Sequence, residues 1–196
     1  MALNELLRFI KNETAGYECV VEFGAGFFDK LIHTSSPRKI GIEAWKPFID
    51  RALFHDCIKI NNDFTKYSEY IDKEDMQCAM FIDSIEHLNA DDARKLLESV
   101  ISDFKKVIAF IPEGNHPSSD DPHGLGADQY ETHRSTWYEK DVRDIGFQDI
   151  VVDPLFHTGL RSNPKYKNND TGAIFAVWEK GGRSRPMNVN DIIGVR

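Results

Sequence analysis

Three acidic residues each follow a short apolar stretch, as carboxylates at the ends of neighbouring β-strands do. They are Glu43, Asp63 and Asp83. In a parallel sheet, ligands bind outside the carboxyl ends of the strands, so these side chains would line one crevice. A carboxylate accepts hydrogen bonds from two hydroxyl groups at once, which suits Glu43 to a sugar diol. The pattern predicts recognition of a hydroxyl-bearing ligand such as a nucleoside.

A glycine turn follows the apolar strand predicted at 18–23. Gly24 and Gly26 permit positive φ angles and leave no Cβ where a ligand must come close. A helix-like segment at 27–33 would direct its first N–H groups at that ligand. Glu43 lies about 20 positions beyond Gly24, the separation at which an acid meets a ribose in nucleotide-binding folds. The turn therefore predicts a nucleotide-type site.

Residues beside the turn favour a positively charged ligand over a pyrophosphate. A dinucleotide site has a third glycine three positions after Gly26, and that position is Asp29. A carboxylate there would repel a pyrophosphate, which disfavours an NAD-dependent dehydrogenase. Glu22, two residues before the first glycine, adds negative charge. S-adenosylmethionine (SAM), an adenosine with a sulfonium cation and an amino-acid tail, fits such an acid-lined crevice.

Four short motifs, in this order and spacing, resemble the class I SAM-dependent methyltransferases. They are VEFGAG at 21–26, IE at 42–43, NDF at 62–64 and FIDSIEHL at 81–88. The resemblance covers roughly residues 18–180. It implies an α/β, three-layer Rossmann-like methyltransferase fold, with a mostly parallel seven-stranded sheet and an antiparallel last strand. It also implies SAM as the cofactor and methyl transfer as the activity.

The resemblance implies roles for the first two motifs. The ribose hydroxyls would be held by Glu43, the alternative being a solvated acid at the end of a strand. Phe28 stands where many members of the family have a third glycine, so either its side chain turns away from the ligand or the loop there is wider. The residues expected to contact the methionine part of SAM are Glu22, Gly24, Ala25 and Gly26.

The third and fourth motifs carry further implied contacts. Asp63 would meet the adenine amino group, with Phe64 near the ring, the alternative for Asp63 being an Asx turn. Asp83 and the Ile85-Glu86-His87 stretch would border the site of transfer, with Asp83 and Ile85 in contact with the cofactor; the alternative for Asp83 is a helix-associated acid. His87 lies beside them and has the alternative of a structural histidine bonded to the backbone.

A second candidate segment spans residues 129–137 and is similar to the stretch after the fifth strand in many small methyltransferases, where a His-x-Ser-x-Trp pattern recurs. The resemblance implies contact with the methyl acceptor. The alternative is a helix N-cap at Ser135 or Thr136 with Trp137 packing inward. The side chains expected to contact the acceptor are Tyr130, His133, Arg134 and Trp137.

A hydroxyl acceptor would need a base, which contributes roughly 10²–10⁴-fold to the rate. His133 is the first candidate for this catalytic role and His87 is the second. No metal site is expected. The histidines and aspartates at 115–123 are interrupted by prolines and lack the regular spacing of metal ligands.

Strands and helices alternate along the chain, which predicts a parallel sheet with right-handed crossovers. Pro112 is expected to stop the fifth strand. The last two strands are joined without a helix, which allows the last strand to run antiparallel. One domain is expected at 1–180, with a weakly structured tail at 181–196. The predicted strands are 18–23, 39–43, 57–60, 78–82, 107–111, 147–152 and 173–178. Helical segments are predicted at 2–12, 27–33, 47–54, 66–75, 90–101 and 137–145.

Composition narrows the partners. The 196 residues carry a net charge of −8, whereas a general polyanion binder would have an excess of Lys and Arg. No general nucleic-acid binding is therefore expected, and a small-molecule acceptor is preferred to a glycan or peptide group. No apolar run is long enough to span a bilayer. Cys19, Cys57 and Cys78 lack CxxC spacing, which indicates free thiols in a cytoplasmic, reducing setting. The alternative function is a non-catalytic SAM-binding subunit of a complex, docked through the tail.

Overall fold

The computed structural model describes residues 2–116, 123–157, 172–183, 186–187 and 192. Seven strands form one sheet in the order β3-β2-β1-β4-β5-β7-β6. Their bounds are β1 (Cys19–Phe23), β2 (Arg38–Glu43), β3 (Ile58–Asn61), β4 (Cys78–Ile82), β5 (Lys106–Glu113), β6 (Asp149–Asp153) and β7 (Gly172–Glu179). β7 is antiparallel to both of its neighbours, and the other pairs are parallel. The predicted fold class, including the antiparallel last strand, is confirmed.

The helices flank the sheet. They are α1 (Ala2–Glu13), α2 (Lys46–Asp50), α3 (Ala90–Asp103), α4 (Asp128–Glu131) and α5 (Glu139–Ile145), with 3-10 turns at Lys30–His33, Phe64–Glu69, Lys73–Asp75 and Ile85–His87. α3 begins where predicted, because the Asn89 side chain accepts a hydrogen bond from the Asp92 N–H at 3.1 Å. The helix predicted at 27–33 is wrong in its first turn. Positive φ angles at Gly26 and Phe28 break the helical path, and only a 3-10 turn remains.

Side-chain alternation along the strands builds three layers. All five residues of β1 are buried, as a strand covered on both faces requires. Val21 and Phe23 pack in the core cluster that contains Leu97 of α3. Val20, pointing the other way, packs in the cluster that contains Ile10 of α1. Each face of the sheet is thus covered by helices, and the loops at the carboxyl ends of the strands are left to form a site.

Pro112 does not stop the fifth strand, contrary to the sequence prediction. β5 continues to Glu113, and Pro112 pairs with Ala173 of β7. Residues two apart on a strand direct their backbone groups to the same side, and the Phe110 carbonyl accepts from Asp83 on the β4 side. The N–H that Pro112 lacks would face that side too, where β4 has already ended. The proline therefore costs the ladder no hydrogen bond.

Trp137 precedes the helix that it was predicted to begin. α5 starts at Glu139 and ends at Ile145, and Gly146, which follows it, has the expected left-handed conformation (φ 115°). The Trp137 carbonyl accepts from the Gly114 N–H at 2.7 Å, so this residue is tied to the end of β5. Its indole N–H donates to Ser135 Oγ at 2.9 Å. This backbone pairing keeps Trp137 extended and outside the helix.

The described residues of the predicted tail make specific contacts with the body of the protein. The Arg183 guanidinium donates to the Glu13 carboxylate at 2.8 Å, and the Lys106 ammonium lies 2.6 Å from the same group. Met187 and Ile192 are buried in the core cluster on the α1 side. A domain boundary at residue 180 stays a prediction. Over the described part of the chain, no helix has both the length and the apolar character needed to cross a membrane.

Candidate functional site

A cavity of about 860 Å³ opens at the edge of the sheet where the parallel strands end. It brings together most of the residues that the sequence singled out. Ile85 and Trp137 lie outside the cavity lining and are buried in the core instead, at 0% and 3% exposure. Those that line the cavity are Glu22, Gly24, Ala25, Gly26, Glu43, Asp63, Phe64, Asp83, His87, Tyr130, His133 and Arg134.

Hydrogen bonds fix the glycine turn to β2, and there is no room for a side chain at its first residue, Gly24. The Ile42 carbonyl accepts from the N–H groups of Gly24 and Ala25 at 3.0 and 2.9 Å. A Cβ on Gly24 would lie 2.7 Å from Cβ of Ser84, closer than packed atoms come. A Cβ on Gly26 would meet no atom within 4 Å, so that residue faces open cavity. The turn thus packs closely against Ser84 at Gly24 and is open to the cavity at Gly26.

Phe28 occupies the position of the family's third glycine, and the structure shows how. It adopts a left-handed conformation (φ 62°) and is fully buried. Its ring lies against Gly41 of β2, where a Cβ would come within 2.4 Å of the ring. The side chain therefore turns away from the cavity, the first of the two predicted alternatives, because a glycine on the neighbouring strand makes room for it.

Glu43 lies beside the glycine turn and lines the cavity. Its carboxylate accepts from the Gly26 N–H at 2.9 Å and from the Trp45 N–H at 2.7 Å. Burial raises the pKa of Glu43, although these two hydrogen bonds act in the opposite direction. A carboxylate has about four acceptor sites, so two remain for ligand hydroxyl groups. The same residue therefore sets the shape of the glycine turn and offers the acceptors of a diol site.

Two more carboxyl groups lie at the cavity floor. Glu22 is 1% exposed, and its burial raises its pKa well above the usual range. Asp83 is open to the cavity but enclosed by protein on its other sides, and this desolvation raises its pKa to about 7. A positively charged ligand stabilises the ionised form of such groups. The floor therefore suits a cation better than a phosphate.

Asp63 and Phe64 lie at the start of the 3-10 turn after β3. Asp63 Oδ1 accepts from the Thr65 N–H at 2.9 Å and from the Thr65 hydroxyl at 2.7 Å. The structural role left open by the sequence is thus present in the structure. Phe64 packs edge-on to Phe23 with ring centroids 6.4 Å apart. Both residues line the cavity, so the turn places a carboxylate and an aromatic ring beside each other there.

Histidines gather on the opposite side of the cavity, beyond β4, β5 and β6. His133 lies 5.1 Å from His87 and 5.9 Å from His116, between ring centroids, and His116 lies 4.7 Å from His157. Burial, aided by the neighbouring His133, lowers the pKa of His87 to about 4. Burial likewise lowers the pKa of His157 to about 4. These two imidazoles are neutral at pH 7 and can act as bases or ligands.

Arg134 connects the 129–134 segment to the turn after β4. Its guanidinium donates to the His87 carbonyl at 2.8 Å and also to the carbonyl of Gln129. Its backbone N–H donates to the Glu86 carbonyl at 2.8 Å. Tyr130, the other predicted acceptor residue here, lies 5.4 Å from the Trp45 ring. The contacts give Arg134 a positioning role, since they fix the 129–134 segment against the turn after β4.

Sequence reasoning left several cavity residues out of the site. His116 and His157 follow β5 and β6; His116 was considered only as part of the 115–123 segment, and His157 was not considered. Glu86 was expected to border the site of transfer but was given no role of its own, although it is 2% exposed and lines the cavity. The signal that could have found His116 and His157 was their position just beyond predicted strands, as for the three acids. The other additional lining residues include Asn61, Asn62, Ser84, His123 and Glu131.

No protein-family model and no curated protein matches the sequence. Solved structures match the fold. Phosphoethanolamine N-methyltransferase 2 of Haemonchus contortus, in complex with SAM, is 14% identical with a TM-score of 0.60. The alignment covers 91% of this chain and 52% of that one, so the chain spans about half the length of that enzyme.

Two further structures match over nearly their whole length. A SAM-dependent methyltransferase from Mesorhizobium loti is 14% identical, with a TM-score of 0.60 over 90% of this chain and 97% of that one. A SAM-dependent methyltransferase from Archaeoglobus fulgidus is 16% identical, with a TM-score of 0.58 over 90% of this chain and 93% of that one. At these identities the likeness concerns the fold. The chain therefore has the class I SAM-dependent methyltransferase fold.

Proposed function

We propose that this protein binds SAM and transfers its methyl group to a small-molecule acceptor. The observation that carries the proposal is that a single cavity joins the glycine turn and Glu43 to the histidine cluster. The fold supports it, since similar folds belong to methyltransferases in complex with SAM or with S-adenosylhomocysteine (SAH). Three free cysteines are compatible with a reducing compartment such as the cytoplasm.

The cofactor side of the cavity fits SAM by its donors, acceptors and charge. Glu43 would accept from the ribose hydroxyls, and Asp63 would accept from the adenine amino group beside Phe64. Glu22 and the turn at Gly24 and Gly26 would hold the methionine part. When bound, SAM supplies a methyl group activated by a sulfonium cation. The acidic floor stabilises that positive charge, whereas it would repel the pyrophosphate of a dinucleotide.

Holding an acceptor in line with the methyl group is the main task left to the protein. Positioning of this kind lowers a barrier by about 7–11 kcal/mol. The acceptor would lie against the side of the cavity that holds His87 and His133. These residues promote the loss of the acceptor's proton, and Arg134 keeps the segment that carries His133 in place.

The size of the cavity and the net charge of the chain favour a small acceptor. A volume of about 860 Å³ lies within the range of small-molecule sites, roughly 300–1,000 Å³, and must hold cofactor and acceptor together. A net charge of −8 disfavours a polyanionic acceptor such as RNA. We therefore place the acceptor among small hydroxyl- or amine-bearing molecules.

The proposal is tested in two steps. Calorimetric titration with SAH should show binding to one site per chain. Methyl-labelled SAM, incubated with the protein and fractionated small-molecule extracts, should then transfer label to an acceptor. Tight SAH binding without transfer to any acceptor, with activity only in a complex, would instead support a non-catalytic SAM-binding subunit. Binding of NADH with no binding of SAH would contradict both functions.

His133→Ala separates the two sides of the cavity. We expect turnover to fall by roughly 10²-fold or more, because the residue borders the acceptor. The dissociation constant for SAH should change little, because Glu43 and the glycine turn are intact. His55→Ala, at an exposed position outside the cavity, is the matched control. A variant that loses SAH affinity but keeps its turnover would refute this division of roles.

A further inference from the structure

Three side chains on the acceptor side of the cavity converge on one point. Glu86 and His87 lie in the 3-10 turn after β4, and His133 lies in the segment before α5. Each offers a ligand atom, and these atoms all lie within 4.8 Å of one another. Ligands of a tetrahedral metal ion are about 3.4 Å apart, from bonds of about 2.1 Å. Side-chain rotations that bring these atoms from at most 4.8 Å to about 3.4 Å apart would complete a coordination site.

The backbone already orients both imidazole rings. His133 Nδ1 lies 2.9 Å from the carbonyl oxygen of His116, and His87 Nδ1 lies 3.4 Å from that of Thr132. A carbonyl only accepts, so each Nδ1 carries the proton and each Nε2 presents a lone pair. His133 Nε2 is directed at Glu86 Oε1, 3.9 Å away. Histidine ligands of metals are commonly oriented in this way, with the second nitrogen donating to a carbonyl.

Glu86 is buried without enough partners. It is 2% exposed, and its Oε2 has no hydrogen-bond partner among the described residues. An unpartnered carboxylate oxygen in the interior is costly, and native proteins rarely leave one without an ion or another group beside it. This observation is independent of the two rings. It leaves Glu86 with a carboxylate oxygen that is available to a cation beside the imidazoles.

We propose that Glu86, His87 and His133 bind a divalent transition-metal cation of the Mn²⁺, Fe²⁺, Co²⁺ or Zn²⁺ type. Two imidazoles favour these ions over Mg²⁺ and Ca²⁺, which take oxygen ligands. Three protein ligands leave at least one coordination position directed to the cavity. The proposal differs from the sequence expectation of no metal, which considered the segment 115–123.

The metal would explain how the acceptor loses its proton, and this part rests on the proposed methyl transfer. An acceptor hydroxyl at the open position has a lowered pKa, as metal-bound water does. It releases its proton to water, and the resulting oxygen anion attacks the methyl carbon. The new C–O bond forms as the C–S bond breaks, and the electron pair of the C–S bond stays on sulfur in neutral SAH. His87 and His133 then act as ligands of the metal, not as bases.

Co²⁺ alone is the probe, because its visible absorption reports coordination without SAM or acceptor. Full-length protein treated with a chelator should bind one Co²⁺ per chain, and Zn²⁺ should displace it. We expect Glu86→Gln and His87→Ala each to weaken Co²⁺ binding by at least 10-fold. His55→Ala, at an exposed position outside the cavity, should bind like the native chain. Circular dichroism checks the folding of each variant, and His87→Gln replaces any that does not fold.

The outcomes separate this proposal from the proposed function. No stoichiometric Co²⁺ binding, or equal binding by native protein and both variants, overturns the metal site. Methyl transfer that persists in excess chelator also overturns its part in the reaction, while leaving the methyltransferase function intact. Co²⁺ binding at these residues in a protein that does not bind SAH supports the site and contradicts the function. Unchanged SAH affinity in His87→Ala supports a metal site on the acceptor side alone.

Discussion

Glu43→Gln tests the double role of this residue most sharply. The carboxylate accepts from the N–H groups of Gly26 and Trp45, at 2.9 and 2.7 Å. Glutamine keeps one acceptor oxygen, but its NH₂ group must face the other N–H as a donor. Hydrogen bonds to charged groups contribute about 1.5–3 kcal/mol each. Losing the charge that faces the ligand hydroxyls should cost about 2 kcal/mol of binding, or about 30-fold in the dissociation constant.

The assay is calorimetric titration of the native and variant proteins with SAH. Glu98→Gln, on the exposed face of α3, makes the same chemical change away from the cavity and should bind like the native protein. Urea unfolding measures the accompanying stability loss, expected at about 1–3 kcal/mol because one N–H is left facing a donor. A Glu43→Gln protein that is folded and binds SAH with native affinity would show that Glu43 does not hold the ribose hydroxyls.

Two further predictions concern the framework around the site. Gly41→Ala should lower the free energy of unfolding by about 1–3 kcal/mol, because the new Cβ would lie 2.4 Å from the Phe28 ring. Urea titration should show a smaller loss when the same substitution is made in a Phe28→Leu protein. An equal loss in both proteins would contradict the contact. Glu13→Gln should lower the free energy of unfolding by about 3 kcal/mol, since the Lys106 side chain is only 7% exposed and would lose its buried partner. Burial alone would raise the pKa of Glu13, but hydrogen bonds from Arg183 and Lys106 lower it below its ordinary value of 4.5. The stability that ionised Glu13 contributes is therefore present above pH 4.5 and is lost as the pH falls through the lowered pKa. The free energies of unfolding of the native and Glu13→Gln proteins should converge in acid. A difference that stays constant with pH would be the contrary result.

Much of the fold could be predicted because local pattern and tertiary environment agree. β1 reads as a strand buried on both faces, and it is one. The exceptions come from contacts that no local window contains. Pro112 stays in β5 because β4 has already ended beside it, and Trp137 stays out of α5 because Gly114 holds its backbone.

That Gly24, Gly26, Glu43, Asp63 and Asp83 share one cavity was predictable for a specific reason. These residues lie at fixed offsets from strand ends, so sequence order gives their spatial order. That the Phe28 side chain turns away was one of two predicted alternatives, but its destination could not be predicted. That depends on Gly41, whose missing Cβ makes room for the ring on a neighbouring strand.

The histidine cluster was less predictable because its residues come from distant loops. Only the packed fold brings each ring within about 6 Å of its neighbour, measured between ring centroids. The four residues are His87, His116, His133 and His157. Glu86 shows the same limit. Its sequence position suggested no shortage of partners, whereas its burial with an unpartnered oxygen shows one.

We propose that the glycine turn and the Glu43 carboxylate together bind SAM. Equilibrium dialysis of the native protein against methyl-labelled SAM measures this binding directly, without knowledge of the acceptor. We expect saturable retention of one SAM per chain, which unlabelled SAH displaces and NADH does not. No retention of label by folded protein, or displacement by NADH alone, would contradict it.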